Sequence, residues 1–152
     1  MVANALASSY NSFLEEAARG GFQEPASGWN AGMILAHVVI NDQRLTAITR
    51  EVCAGRSLRN DNGDAADTES LRQLAERLGW DGLLEEVRSV GSGLMIAVSE
   101  MTEEQGQRLV DSHIVDGGVV VVDDAVPWSR LLMVHAQHHL PDHTRQLAAL
   151  RG

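Results

Sequence analysis

The chain has 152 residues, of which 44% are apolar, and a formal net charge of −9. This length is enough for one domain with its own core, so we expect a single domain over residues 1–152. The negative charge disfavours nucleic acid as a partner, and no apolar run reaches the roughly 18 residues that span a bilayer. The first ten residues lack the basic start of a signal peptide and there is one cysteine, so we expect a cytoplasmic protein.

Apolar residues at helical spacing predict two helices in the first third of the chain. The first covers about residues 3–18 and stops at a pair of glycines. The second begins after Asn30, which is suited to be its N-cap, and ends at Gly55. The polar, glycine-containing stretch 57–68 that follows is predicted to be a loop.

The helical period resumes after this loop. Thr68 is predicted to cap a short helix that ends near Leu78, and a longer helix follows over about residues 80–101. Gly91 and Gly93 lie inside the longer helix and indicate a kink or a close helix contact.

The stretch from Arg108 to Asp124 has a different character, with two valine-rich runs on either side of Gly117 and Gly118. This pattern predicts a short β-hairpin with a glycine turn. Pro127 then fits the first turn of a last helix, where its missing N–H matters little. The predicted fold class is therefore all-α: an antiparallel four-helix bundle with a short β-hairpin before the last helix.

The last helix carries three histidines spaced four residues apart. His135, His139 and His143 lie on one face if the helix is continuous, although Pro141 is expected to kink it unless there is a break. We expect this face to be buried. The same stripe also contains Trp128, Leu131, Leu132, Gln146 and Leu150. Each unpaired buried polar group costs about 1–3 kcal/mol, so a metal ion, a proton network or a ligand would have to satisfy the imidazoles.

Histidine is the commonest metal ligand, and two histidines four apart on a helix can present two nitrogens to one ion. A histidine from another helix would complete a site of three imidazoles, and His37 lies near the apolar face of the second helix. The sequence therefore predicts metal binding by His37 with two of the three histidines of the last helix. His113 and His138 are expected to be ordinary structural or surface residues. His135 and His139 have the spacing of a metalloprotease histidine pair, but no glutamate lies between them to act as a base.

Two segments carry a resemblance to a known family. Gly28–His37 places a tryptophan before a helix that contains a histidine, and His139–Leu147 contains two histidines followed by a glutamine and a hydrophobic residue. Both resemble the DinB-like, or DinB/YfiT-like, metal-binding four-helix bundles and the related N-terminal domain of mycothiol-dependent maleylpyruvate isomerase. The similarity spans nearly the full chain.

The resemblance implies that His37, His139 and His143 are the metal ligands, and that the ion is divalent, with zinc or nickel preferred. It also implies a low-molecular-weight thiol, such as mycothiol or bacillithiol, as cosubstrate. The sequence departs from the isomerases at His139, which stands where they have a glutamate. His135 is then an outer partner of His139 or an alternative ligand. The candidates for hydrogen-bond partners of the ligands are Gln146, Asp142 and Asn41.

Two classes of function remain open from the sequence. The first is an enzyme, either a metal-dependent thiol S-transferase or isomerase acting on an electrophilic small molecule, or a metal-dependent hydrolase. The second is a non-catalytic, metal-stabilised protein that binds a small ligand, which the lack of an obvious acid or base beside the histidines favours. We expect a small molecule or thiol as partner, with no nucleic acid or membrane, and the resemblance is compatible with a homodimer. No catalytic residue is assigned.

Overall fold

The computed structural model describes residues 1–152 and is mainly helical. Its helices are α1 Val2–Arg19, α2 Ala31–Cys53, α3 Thr68–Glu100, α4 Glu103–Gly106, α5 Trp128–Val134 and α6 Leu140–Ala149. A π-helical turn, His135–His139, joins α5 to α6. The strands are β1 Asn60–Asp61, β2 Leu109–Asp116 and β3 Val119–Pro127, and a 3₁₀ turn at Asp64–Ala66 precedes α3.

The first two helices follow the predicted bounds to within two residues. The buried side chains of α1 recur at helical spacing, and the helix ends at Gly20, whose φ of 65° favours glycine. The predicted N-cap of α2 is confirmed, because the side chain of Asn30 accepts the Met33 N–H at 2.9 Å. Buried residues recur on most sides of α2, so this helix is central to the core.

The start of α3 differs from the prediction by one residue. Asp67 is the N-cap and accepts the Ser70 N–H, whereas Thr68 is already the first helical residue. The carboxylate of Asp67 gives the helix start an acceptor and a favourable charge. The two predicted helices meet at Gly79, the one residue inside α3 with non-helical dihedrals, φ 68° and ψ 174°.

Close helix packing explains the glycine in the middle of α3. The helix α1 packs against α3 and α6, and α2 packs against α3 and α6 as well. A Cβ atom at Gly91 would lie 3.1 Å from the ring of Tyr10, so of the two predicted alternatives it is the close contact that occurs there. None of the helices is both long enough and apolar enough to cross a membrane.

The predicted β-hairpin before the last helical segment is confirmed and extends further than expected. Strand β2 pairs antiparallel with β3 across Gly117 and Gly118, which both have positive φ as a two-residue hairpin turn requires. Pro127 ends β3 and does not lie in the first helical turn as predicted. The Trp128 N–H donates to the Arg108 carbonyl at 2.9 Å, which continues the strand pairing up to the start of α5.

The region predicted as a loop over 57–68 contains a short strand. Strand β1 pairs in parallel with β2, with Asn60 opposite Ser112. The amide side chain of Asn62 extends this pairing, because it donates to the Val115 carbonyl at 2.8 Å and accepts the Val115 N–H at 2.9 Å. Two residues are too few to show strand periodicity, so the sequence pattern gave no sign of β1.

The π-helical turn and Pro141 are two parts of one local arrangement. The Leu140 N–H bonds to the carbonyl of His135, five residues back. Pro141 has no N–H to continue this spacing to the carbonyl of Ala136, and that carbonyl instead accepts the hydroxyl of Ser9 from α1. The extra residue in the turn is therefore accommodated where a hydrogen bond is already missing.

The π-helical turn changes which face of the last helical segment is buried. The expected stripe holds as far as Trp128, Leu132 and His135, which are buried. After the turn, the buried side chains are Leu140 and Leu147. The predicted stripe is wrong there: Gln146 is exposed and Leu150 only half-buried. One additional residue in a turn rotates everything that follows relative to the preceding helix.

Candidate metal centre

His37 is held on α2 by a backbone carbonyl. Its side chain is buried, and its Nδ1 lies 2.6 Å from the carbonyl oxygen of Ala65 in the 3₁₀ turn before α3. The ring of Trp29, just before α2, lies beside the imidazole with 5.0 Å between the ring centroids. Two segments that border the helix therefore fix the orientation of this imidazole.

The structure brings together all three residues predicted as ligands. His139 ends the π-helical turn and His143 lies one turn into α6. The Nε2 of His139 is 3.1 Å from the Nε2 of His37 and 3.1 Å from the Nε2 of His143. The possible ligand atoms of all three lie within 4.8 Å of one another. We refer to these three residues as the histidine cluster.

Within the histidine cluster, His37 is buried, whereas His139 and His143 are partly exposed. Two hollows of about 550 and 540 Å³ are lined by none of the three histidines. They are therefore separate from the cluster, and their size has no bearing on its chemistry.

Hydrogen bonding fixes the tautomer of two of the three imidazoles. The carbonyl of Ala65 only accepts, so Nδ1 of His37 carries the hydrogen. The side-chain oxygen of Gln146 likewise accepts from Nδ1 of His143, at 2.8 Å. When neutral, both rings consequently turn a lone pair on Nε2 toward the Nε2 of His139.

The surroundings keep the cluster neutral. Burial, followed by the neighbouring His143, lowers the pKa of His37 from its ordinary value to about 3. Burial and then the facing imidazoles lower the pKa of His139 well below its ordinary value. Burial also lowers the pKa of His143. The three rings are therefore unprotonated at neutral pH, which is the form that binds metal ions.

The spacing of the cluster suits a divalent ion. Nitrogen ligands lie about 2.0–2.1 Å from zinc, which puts two of them roughly 2.9 Å apart at right angles and roughly 3.3 Å apart in a tetrahedron. The two 3.1 Å separations lie between these values. Two of the three nitrogen pairs have this spacing and all three nitrogens lie within 4.8 Å of one another, so a small shift of the side chains would let these neutral donors hold such an ion.

Only one of the three suggested hydrogen-bond partners serves a ligand. Gln146 bonds to His143, as suggested. Asp142 pairs with Arg145 one turn later instead, and the amide of Asn41 donates to Asp42. The partner of His37, the Ala65 carbonyl, was not foreseen, because a backbone group leaves no trace in the sequence.

The remaining histidines lie outside the cluster. His135 does not contribute an Nε2 to it and instead faces His139 from behind, with 2.9 Å between their Nδ1 atoms. Its Nε2 lies 3.0 Å from Asp42 Oδ1. Asp42 was not among the predicted site residues, although an acidic residue in a buried helix is a usable signal. His113 contacts Asp123 across the hairpin, and His138 is exposed.

Comparison with solved structures relates the chain to one enzyme fold. The chain is similar to the crystal structure of a mycothiol-dependent maleylpyruvate isomerase, with a TM-score of 0.77 and 17% sequence identity over 99% of this chain. It spans 60% of the length of that protein. The likeness confirms the expected relation at the level of the fold. No protein-family model matches the chain, and neither does any curated protein.

Proposed function

We propose that this chain binds one divalent metal ion through His37, His139 and His143, with zinc or nickel the expected ion. The observation that carries the proposal is the convergence of one ring nitrogen from each of the three histidines within 4.8 Å. Acceptors at Nδ1 leave a lone pair on Nε2 of His37 and of His143. We further propose that residues 1–152 form one domain of DinB-like type. The four helices of its bundle would be α1, α2, α3 and the segment in which the π-helical turn joins α5 to α6.

The reaction we propose is a thiol-dependent transfer or isomerisation on an electrophilic small molecule. The fold is shared with an enzyme whose name specifies mycothiol dependence. A divalent ion held by three neutral imidazoles keeps its full positive charge, and it lowers the pKa of a thiol that binds it so that thiolate is available at neutral pH. A low-molecular-weight thiol is thus the expected cosubstrate.

The chain's own residues prepare the site for such an anion. Burial and mutual contact hold the imidazoles neutral, so they do not compensate the charge of an ion. The ring of Trp29 lies against His37 and excludes water from that side. We expect a small molecule to approach past His139 and His143, which are partly exposed. Arg44 adds positive potential, since its charge contributes to the lowered pKa of both His37 and His139.

Cobalt substitution tests the proposal. We expect protein loaded with Co²⁺ to show an intense sulfur-to-metal charge-transfer band when a small thiol is added. His143→Ala is expected to abolish the band because it removes one ligand. The matched control is His138→Ala, which changes an exposed histidine of the same segment and is expected to keep the band.

Turnover of an electrophile with and without thiol then separates the enzyme classes. Turnover that requires thiol supports the transferase or isomerase, whereas turnover without thiol indicates a hydrolase. If cobalt binds normally but no thiol, including mycothiol and bacillithiol, changes its spectrum, the thiol-dependent mechanism is wrong. A non-catalytic protein that binds a small ligand would then be the better account.

A further inference from the structure

A chain of buried polar side chains lies behind His139, on the side away from the histidine cluster. It runs from Tyr10 on α1 through Asp42 on α2 to His135 in the π-helical turn, and each of these three is at most 4% exposed. The Tyr10 hydroxyl donates to Asp42 Oδ2, and the Asn41 amide donates to Asp42 Oδ1 at 2.9 Å. A carboxylate is costly to bury, so its hydrogen-bond partners are needed to stabilise it.

The carboxylate of Asp42 decides where the hydrogens of the two imidazoles lie. His135 Nε2 is 3.0 Å from Asp42 Oδ1, in an off-line approach that makes the contact chiefly electrostatic. The negative charge favours a hydrogen on this Nε2, and a neutral His135 then has a lone pair on Nδ1. The facing Nδ1 of His139, 2.9 Å away, donates to that lone pair. His139 is left with its own lone pair on Nε2, inside the cluster.

The opposite arrangement would be unfavourable at Asp42, although in the metal-free protein the lone pairs of His37 and His143 would accept a hydrogen on Nε2 of His139. A hydrogen on Nε2 of His139 would require His135 to donate from Nδ1. The lone pair on Nε2 of a neutral His135 would then face the Asp42 carboxylate at 3.0 Å. The three ligands differ in the kind of group that orients them. His37 and His143 are oriented by neutral acceptors, the Ala65 carbonyl and a glutamine amide, whereas a charged residue stands behind His139 alone.

We infer that Asp42 and His135 are positioning residues for His139: they fix the tautomer that presents its Nε2 lone pair to the metal ion. This inference rests on the metal binding proposed above. Removing partners that orient a ligand histidine typically weakens metal binding 10–100-fold. The structure assigns this role to the π-helical turn as well, because the turn sets His135 and His139 with their Nδ1 atoms facing each other.

Two substitutions at His135 separate orientation from packing. In His135→Asn the side-chain oxygen takes the place of Nδ1 and can still accept from His139, whereas His135→Leu offers no acceptor. We expect His135→Leu to weaken zinc binding about 10–100-fold in chelator competition, and His135→Asn to retain most of the affinity. Asp42→Asn, which removes the charge, is expected to fall in the range of His135→Leu. Equal affinities for both His135 variants would overturn the inference.

The tautomer of His139 gives a readout that simple destabilisation would not move. Ring ¹⁵N–¹H correlation spectra of the metal-free protein are expected to show a larger share of hydrogen on Nδ1 of His139 in the wild type than in His135→Leu. In that variant the hydrogen moves to Nε2, where the lone pairs of His37 and His143 accept it. The control is Thr49→Val, which removes another buried side-chain hydrogen bond of α2, the one to Trp128. It is expected to leave both the tautomer and the zinc affinity unchanged.

The two measurements keep the two proposals distinguishable. If the wild type binds no zinc but His135→Leu changes the tautomer of His139, the proposed metal binding fails and the orientation by His135 stands. If zinc binds and the tautomer and affinity are the same in the wild type, Asp42→Asn and His135→Leu, the positioning role is wrong and the metal centre stands. Should Asp42→Asn fail to fold, the pair at His135 decides the question alone.

Discussion

Acid should destabilise the metal-free protein through His37, whose pKa in the folded chain is lowered to about 3. The unfolded imidazole takes up a proton near pH 6.5, whereas the folded one stays neutral down to about pH 3. The unfolded state therefore binds more protons in this window, and stability falls as the pH falls through it. Between pH 7 and pH 5 the two pKa values give a loss of about 2 kcal/mol in the free energy of unfolding from this residue.

Urea unfolding with a chelator present, followed by tryptophan fluorescence at pH 7, 6 and 5, measures this loss. His37→Asn removes the titrating ring and keeps an N–H donor in the position of Nδ1, where the Ala65 carbonyl accepts it. We expect this variant to lose about 2 kcal/mol less than the wild type over the same interval. His138→Asn, at an exposed site, is expected to behave like the wild type. An unchanged pH dependence in His37→Asn would refute the reasoning.

Two further predictions concern the packing that supports the site. Gly91→Ala should lower the free energy of unfolding by about 1–3 kcal/mol, because its Cβ would press on a tyrosine ring of α1. Gly93→Ala, in the same helix with nothing within 4 Å, should instead raise it by up to about 1 kcal/mol; equal signs in thermal or urea unfolding would contradict the packing. Ser9→Ala should cost about 1–2 kcal/mol by leaving the Ala136 carbonyl without its donor, whereas Ser8→Ala, an exposed neighbour, should cost nothing measurable in the same assay.

Most of the helices and the hairpin could be predicted because their causes are local. The period of buried residues defines α1 and α2, and an adjacent asparagine or glycine sets where each begins or ends. The hairpin follows from two glycines that can both adopt positive φ. Strand β1 could not be predicted, since its two residues depend on pairing with a segment about fifty residues later.

The convergence of the three candidate ligands was predictable from the sequence, whereas their surroundings were not. His139 is the last residue of the π-helical turn and His143 lies in α6. The extra residue of the turn therefore does not change the four-residue helical spacing between them. The rotation that this turn imposes depends on Pro141 together with a hydroxyl from α1, a contact across more than a hundred residues. The role inferred for Asp42 could not be predicted for the same reason: it depends on contacts with residues distant in sequence, in α1 and the π-helical turn.

Metal content across a set of histidine variants tests the central claim most directly. Protein loaded with zinc and freed of excess ion should retain about one ion per wild-type chain, with three imidazole nitrogens at about 2.0–2.1 Å by X-ray absorption. His139→Ala and His143→Ala should retain none, while His113→Ala and His138→Ala, which lie outside the cluster, should retain as much as the wild type. Equal zinc content in all four variants would contradict the assignment of the metal centre.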